Sequence, residues 1–438
     1  MSGFAIALIG IACLLVLLAL RIPVGVAILT VGVVGYWIIG GLSPLLNYAK
    51  TATYWRFANY DLSIVPMFLL MGQFASRAGL SRALFDSASK FLGHRRGGLA
   101  MAAIAGCAGF GAICGSSLAT AATMAQVALP ELRRHNYSGG LATATLAAGG
   151  TLGILIPPSV VLVIYAIEVE ANIATLFLAA FIPGVLAALG YLGAIFVYVR
   201  VWPESGPAGP KSTTREKFDA FIETWPVNVI FVLVVGGIYM GVFTPTEGAS
   251  VGAFGTGIIA YWKGGLRLRG FMECMAGAAT FSAMIFLILL GAEFFNSFLA
   301  LSRMPFEAAA LIQNSGLSPF AILLVMVLIY LVLGCVMDSL AMILLTVPIF
   351  WPIISVLDFG MPLDDVRIWF GIITLIVVEV GLITPPVGLN VFIINSMAKD
   401  VPIRDSFMGV LPFLATDALR IILLILFPAI TLFLPRLL

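Results

Sequence analysis

The chain has 438 residues, with 23 Lys and Arg against 21 Asp and Glu, a formal net charge of +2. It is 61% hydrophobic and 10% charged, and its mean hydropathy is +1.11. A soluble domain carries about 25% charged residues, so this chain lacks the polar surface needed to live in water, and its small net charge excludes a nucleic-acid partner.

The composition predicts an all-α polytopic protein whose immediate partner is the lipid bilayer. Apolar runs at 4–20, 22–40, 176–199, 227–242 and 420–434 approach the roughly 20 residues that cross a bilayer, and about ten to twelve spanning segments are expected at this density. The first run has no basic start and a second run follows Arg21 at once, so it does not read as a cleavable signal peptide. Residues 1–76 are expected to be scaffold spans, with 42–61 outside the membrane.

Lys and Arg collect on the cytoplasmic side of short loops. The groups Arg77/Arg82/Lys90/Arg95/Arg96, Arg133/Arg134, Arg200/Lys211/Arg215/Lys217, Lys263/Arg267/Arg269 and Lys399/Arg404 therefore go inside. The first repeat, 77–200, then holds an anomaly. Residues 97–132 are apolar or small, yet both their flanks are basic. Their middle reads Gly106-Cys-Ala-Gly-Phe-Gly-Ala-Ile-Cys-Gly-Ser-Ser-Leu-Ala-Thr, which suits a re-entrant hairpin, about 97–134, turning inside the membrane. Non-helical backbone at that depth is tolerated only inside protein or along a cavity. The next segment, about 138–168, is interrupted at Gly153-Ile-Leu-Ile-Pro157-Pro158-Ser159. Two adjacent prolines remove two donors and break the helix.

Residues 201–225 contain Pro203-Glu-Ser-Gly-Pro-Ala-Gly-Pro and are expected to be a cytoplasmic linker without a core of its own. Scaffold spans follow at 226–300. In 301–400 the earlier grammar returns: Gly334-Cys-Val-Met-Asp338-Ser339-Leu-Ala forms a tip, and Gly381-Leu-Ile-Thr-Pro385-Pro386 repeats the break. Here the flanks carry Glu307, Asp358, Asp364 and Asp365, so the second hairpin is expected to enter from outside. Residues 401–438 form a C-terminal span. Two like units entering from opposite faces make an inverted repeat, and paired Gly/Pro-interrupted segments point to a transporter's binding site.

A broken helix exposes carbonyls at one stump and N–H groups at the other. Carbonyls with Ser or Thr hydroxyls suit Na⁺, and the positive N-terminal stumps suit an anion. The pattern thus predicts two cation sites flanking one site for a small organic anion. Ser116, Ser117 and Thr120 at the first tip are candidates for ion or substrate contact, and helix capping is their structural alternative. Asp338 is an isolated intramembrane acid, which is a functional candidate by default. Ser159 sits where a substrate carboxylate meets a stump, and Thr384 is an ion ligand by symmetry. Asn390 and Asn395 lie roughly one and a half turns apart, so one of them faces the cavity at most. Glu247 reads as a turn residue at the membrane edge. Glu293 lies in apolar surroundings, and Glu379 is the candidate for the alternative of proton coupling. The five cysteines lack ligand spacing and read as buried fillers. An intramembrane enzyme needs a paired acid and base or a metal cluster, and His94 and His135 both lie in basic segments.

Several motifs together carry a family resemblance. They are Gly115-Ser-Ser-Leu-Ala-Thr-Ala-Ala-Thr-Met, Leu129-Pro-Glu-Leu, Tyr137, the stretch 149–159, Phe243-Thr-Pro-Thr-Glu-Gly, Gly334-Cys-Val-Met-Asp-Ser-Leu-Ala and the stretch 381–390. In this order the chain resembles the large membrane subunit of tripartite ATP-independent periplasmic (TRAP) transporters. The resemblance implies an elevator-type inverted-repeat carrier of the inner membrane, with two re-entrant hairpins and two broken helices on a mobile domain. It implies Na⁺ symport and no organic cofactor. Its partners would be a periplasmic substrate-binding protein and a small four-helix membrane subunit, here expected to be a separate chain. The first Na⁺ site would fall on Ser116 and the backbone of Gly153, Ile156 and Pro158. The second would fall on Gly334, Thr384 and Pro386, and substrate contacts on Ser117, Ser159 and Asp338. The alternative is a stand-alone sodium- or proton-coupled carboxylate carrier that needs no binding protein.

Overall fold

A computed structural model describes residues 2–313 and 316–437; both chain ends, and residues 314 and 315 within the second-repeat region, lie outside the described residues. All regular elements among them are helical. Two helices, α1 (Gly3–Ala19) and α2 (Val24–Gly40), open the chain, followed by α3 (Leu42–Phe57), α4 (Ile64–Arg77) and α5 (Leu80–Leu92). The stretch 42–61, expected outside the membrane, is mostly the helix α3. Its polar residues gave no spanning signal, but the helix is held against α2 and α15 (Leu268–Leu301) by tertiary packing.

The first hairpin is α6 (Gly98–Cys114) and α7 (Ser117–Arg134), and the first broken helix is α8 (Gly139–Leu155) and α9 (Val160–Val169), bent by 45°. The long helix α10 (Ile173–Val201) leads to α11 (Thr214–Glu223). The linker is not loose. Gly97 donates its N–H to Gly206 at 2.9 Å, Ser138 to Ser205 at 2.9 Å and Gly209 to Gly93 at 2.8 Å, so it is laced to both feet of the first hairpin. Thr213 and Glu216 close a capping box on α11, which satisfies two orphan N–H groups reciprocally.

Then come α12 (Trp225–Phe231), joined through a π turn to α13 (Gly237–Tyr239), and α14 (Pro245–Trp262). Thr244 and Glu247 form the capping box of α14, so Glu247 is structural, as its sequence position implied. After α15 and α16 (Met304–Gln313), the second hairpin is α17 (Pro319–Gly334) and α18 (Ser339–Ile354). The second broken helix is α19 (Leu363–Gly381) and α20 (Leu389–Met397), and α21 (Ile403–Leu426) and α22 (Ala429–Leu432) end the described chain.

Among the described residues, three helices are long and apolar enough to cross a membrane, or five if each bent pair is one span. Other apolar elements are shorter because they are hairpin arms or 17-residue helices about 25 Å long. The three long helices bury only 39% of their most apolar window. Leu189, Phe196 and Val197 on α10, and Leu419, Ile422 and Leu426 on α21, stand exposed. Such outward apolar surface is solvated by lipid, which makes the chain a multi-pass integral membrane protein. Cys107, Cys114, Cys274 and Cys335 are buried fillers as expected, whereas Cys13 is exposed on α1 because the outer face of that helix has no protein neighbour.

The helices pack in several neighbouring sets. α15 lies along α2 and α4, and α14 packs on α4. The hairpins and broken helices pack on each other: α6 and α7 against α8, α17 against α19, α18 against α9, and α20 against α7 and α8.

Candidate substrate and cation site

Each hairpin turns at a tip built from a capping residue followed by a serine. At the first, Gly115 takes the left-handed conformation with φ +65°, which only glycine reaches without a Cβ penalty. Ser116 then caps α7, its Oγ accepting from the Ala119 N–H at 3.4 Å, and Ser117 opens the helix. At the second, an Asp338 oxygen accepts from the Ala341 N–H at 3.3 Å, and Ser339 opens α18. Sequence reasoning weighed the capping role for these residues, and the structure shows it in both halves.

The breaks lie beside the tips. In the first, Ile156 is extended, the Pro157–Pro158 bond is cis, and Ser159 caps α9 by accepting from the Leu162 N–H at 3.3 Å. In the second, the Pro385–Pro386 bond is cis and Gly388 leads α20. Glycines set the spacing. A Cβ on Gly111 would lie 2.5 Å from the Gly153 Cα, and one on Gly381 would lie 2.6 Å from the Gly334 Cα. Each hairpin arm thus touches its broken helix backbone to backbone, a distance no side chain permits.

Both tips open on one cavity of about 560 Å³, lined by Ser116, Ser117, Asp338 and Ser339 together with Val160 of the first break. A further wall comes from Gln73 and Ser76 of α4 and Phe281 and Met284 of α15. Behind the first tip, the buried Thr120 Oγ1 has no hydrogen-bond partner among the described residues. A Cβ on Gly153 would meet this oxygen at 2.5 Å and the Ser116 carbonyl at 2.8 Å. Two hard oxygens, the Thr120 Oγ1 and the Ser116 carbonyl, therefore lie close to the Gly153 backbone.

A family model described as "Tripartite ATP-independent periplasmic transporter, DctM component" matches residues 11–430. The chain belongs to this TRAP large-permease family. Among its relatives is the C4-dicarboxylate TRAP transporter large permease protein DctM of Pseudomonas aeruginosa, 36% identical over 379 residues, covering 86% of this chain and 87% of that protein. The sialic acid TRAP transporter large permease protein SiaM of Vibrio cholerae is 31% identical, with 96% of each chain covered. The isethionate TRAP transporter permease protein DctMQ of Oleidesulfovibrio alaskensis is 31% identical, and the match covers 90% of this chain but 61% of that protein. The crystal structure of the YdaH transporter of Alcanivorax borkumensis shares the fold, with a TM-score of 0.64, 15% identity, and 88% and 89% of the two chains covered.

In this TRAP permease the sequence-predicted residues separate into groups. Ser116, Ser117 and Asp338 reach the cavity. Ser159 is fully buried in its capping role, outside the lining. Gly153 and Pro158 are buried and Ile156 is half-buried, whereas Gly334 is buried, Thr384 half-buried and Pro386 exposed. The Thr384 hydroxyl donates to the Val380 carbonyl at 2.6 Å. Neither Asn390 nor Asn395 lines the cavity. Instead Asn390 Nδ2 donates to the Ala147 carbonyl at 3.2 Å, tying the second break to α8 of the first half.

Sequence reasoning missed two groupings. Arg56 of α3 donates to Glu168 near the end of α9 and lies 3.7 Å from Glu293 of α15. Tyr48 donates to Glu293 at 2.6 Å, and Ser297 donates to Tyr48. This clamp joins α3 and α15 to the far end of the first broken helix. Deep in the protein, Arg420 and Asp417 of α21 pair at 2.8 Å, and the Tyr191 hydroxyl donates to Asp417 at 2.9 Å while contacting Thr151 at 3.0 Å. An acid and a base in the apolar second half of α21 were visible signals, but their partners were not.

Proposed function

We propose that this permease imports a small organic anion across the bacterial inner membrane, driven by Na⁺ and moved by an elevator-type displacement of the hairpin body against the scaffold. The anion would be a carboxylate of the kind named for its relatives, handed over by a periplasmic binding protein. A separate small four-helix subunit would complete the scaffold. One observation carries the reading: tip residues of both hairpins, Ser116 and Ser117 of one and Asp338 and Ser339 of the other, meet on a single cavity. A single site shared by the two repeats is where an alternating-access carrier holds its substrate.

On this reading Ser116, Thr120 and the carbonyls around Gly153 hold one Na⁺. Gly334, Thr384 and the carbonyls up to Pro386 hold a second. Ser117 and Ser159 would meet the substrate carboxylate near the positive start of α9, and Asp338 would accept from substrate hydroxyls. Bound cations offset the charge of an anion at this depth.

Thermal unfolding of the purified protein in NaCl against matched KCl tests the ion. A ligand that binds only the folded state stabilises it by RT ln(1 + [L]/Kd), about 2.7 kcal/mol at a hundredfold excess. A Na⁺-specific rise in Tm, reduced by Ser116→Ala and by Thr384→Ala, is expected. Equal Tm in both salts over a wide concentration range would end the sodium reading.

A further inference from the structure

The most unusual group in the protein is Glu379, one turn before the second break. Its side chain is fully buried, and it stands behind the two tip serines rather than on the cavity wall. Ser339 donates its hydroxyl to Glu379 Oε1 at 2.6 Å. The Ser117 hydroxyl, from the other hairpin, acts on the same carboxyl group. The second oxygen, Oε2, is buried and has no hydrogen-bond partner among the described residues. One carboxyl group thus joins the tips of both repeats, and one of its oxygens is left over.

A buried carboxylate needs a compensating charge or a full set of donors. The charged groups facing Glu379 are Arg420 and Asp417 of α21. They pair with each other at 2.8 Å, so they offer Glu379 little net compensation. Among the titratable groups on other elements packed against α19, Asp338 caps α18 and opens on the cavity. Tyr330 of α17 accepts from Thr346, Tyr165 of α9 donates to the Arg367 carbonyl, and Tyr191 of α10 donates to Asp417. None of these supplies a positive charge. A proton on Oε2 would only exchange an unpaired acceptor for an unpaired donor. A small cation would use Oε2 directly and would recruit the serine oxygens, whose own hydrogens point toward the carboxyl group and leave lone pairs free.

We propose that Glu379, with Ser117 and Ser339, forms a further Na⁺ site at the junction of the two hairpin tips, separate from the two sites at the helix breaks. The proposal rests on the sodium reading above. It gives the tips a shared ligand: a cation held by one serine from each hairpin and a carboxylate from α19 locks the inverted halves together, and its charge lies directly behind the substrate cavity. That placement ties anion binding to cation occupancy without a basic side chain at either tip.

The test titrates Na⁺ alone, at constant ionic strength with KCl, and follows Tm for the wild type, Glu379→Gln and Glu379→Asp. Gln keeps the shape and removes the charge. The expected result is that Glu379→Gln is at least as stable as the wild type in KCl, because a buried unpaired carboxylate is gone. Its half-saturating Na⁺ concentration rises about tenfold or more, and Glu379→Asp falls between the two. If Glu379→Gln keeps the wild-type Na⁺ response, the site is overturned while the sodium reading stands. A Tm lowered equally in both salts, with the Na⁺ midpoint unmoved, assigns Glu379 a packing role and also overturns it. A wild type with no Na⁺ response overturns both. Should Glu379→Gln fail to fold, Ser339→Ala carries the same comparison, with a raised Na⁺ midpoint expected and an unchanged one decisive against the site.

Discussion

In the first break, residues 153–155 and 157–159 are buried and Ile156 is half-buried; in the second, Thr384 and Val387 are half-buried and Pro385 and Pro386 are exposed. The same sequence grammar has been packed in two ways. Ser159 caps α9 with its own hydroxyl, whereas α20 starts from Gly388 at φ +61°, with no side-chain cap among the described residues. The far ends differ in the same sense. Glu168, near the end of the first broken helix, pairs with Arg56 at side-chain exposures of 6% and 16%. Asp400, just past the second, pairs with Arg133 at 66% and 41%. The first half is therefore a fixed wall and the second a looser one, so an inverted repeat in sequence need not give two equivalent sites.

The sharpest way to break this comparison is at the far ends. Arg56→Ala leaves Glu168 buried beside Glu293 without its cation, and removing one partner of a buried pair costs about 3–5 kcal/mol. A large fall in Tm is expected. A loss below about 1 kcal/mol would mean that the clamp is not sealed from solvent. The breaks come next. Gly153→Ala drives a Cβ to 2.5 Å from Thr120 Oγ1 and 2.8 Å from the Ser116 carbonyl, an overpacking worth about 1–3 kcal/mol. Thr384→Ala in the looser break removes one hydroxyl bond to Val380, worth about 1 kcal/mol, and its main effect should be on Na⁺ response. Denaturant unfolding of the two variants would reverse the assignment of fixed and loose halves if Thr384→Ala proved the more destabilising. The smallest effect is expected from Arg133→Ala, within about 1 kcal/mol for an exposed pair and weaker still at high salt.

Much of the fold was legible because its signals are local. Gly115 followed by two serines, and the double prolines at 157–158 and 385–386, are covalent instructions that end a helix wherever they occur. The tips and breaks therefore fall where the sequence put them, and the first hairpin's limits of about 97–134 match α6 and α7. Helix α3 was not legible, since its 16 residues carry Lys50, Arg56 and several polar groups and take helical form by packing on α2 and α15. The linker read as unstructured from its prolines and glycines, yet its Gly209 N–H donates to Gly93 and its Gly206 and Ser205 carbonyls accept from Gly97 and Ser138, contacts no local pattern announces. Ser339 stood in the recognised tip motif of the second half, but only the approach of α19 showed that Glu379 receives it.

The sequence by itself determined that this protein lives in a membrane, where its helices must stop, and that two like units recur in inverted order. These follow from composition, from proline and glycine stereochemistry, and from the side on which Lys and Arg collect. Only the tertiary structure decided which oxygens and charges meet: Arg56 with Glu168 across 112 positions, Asn390 with Ala147 across 243, and Glu379 between the tips. Such pairings depend on how apolar helix faces and glycine contacts pack several helices together, and the strength of a charge or hydroxyl depends on the burial that this packing creates.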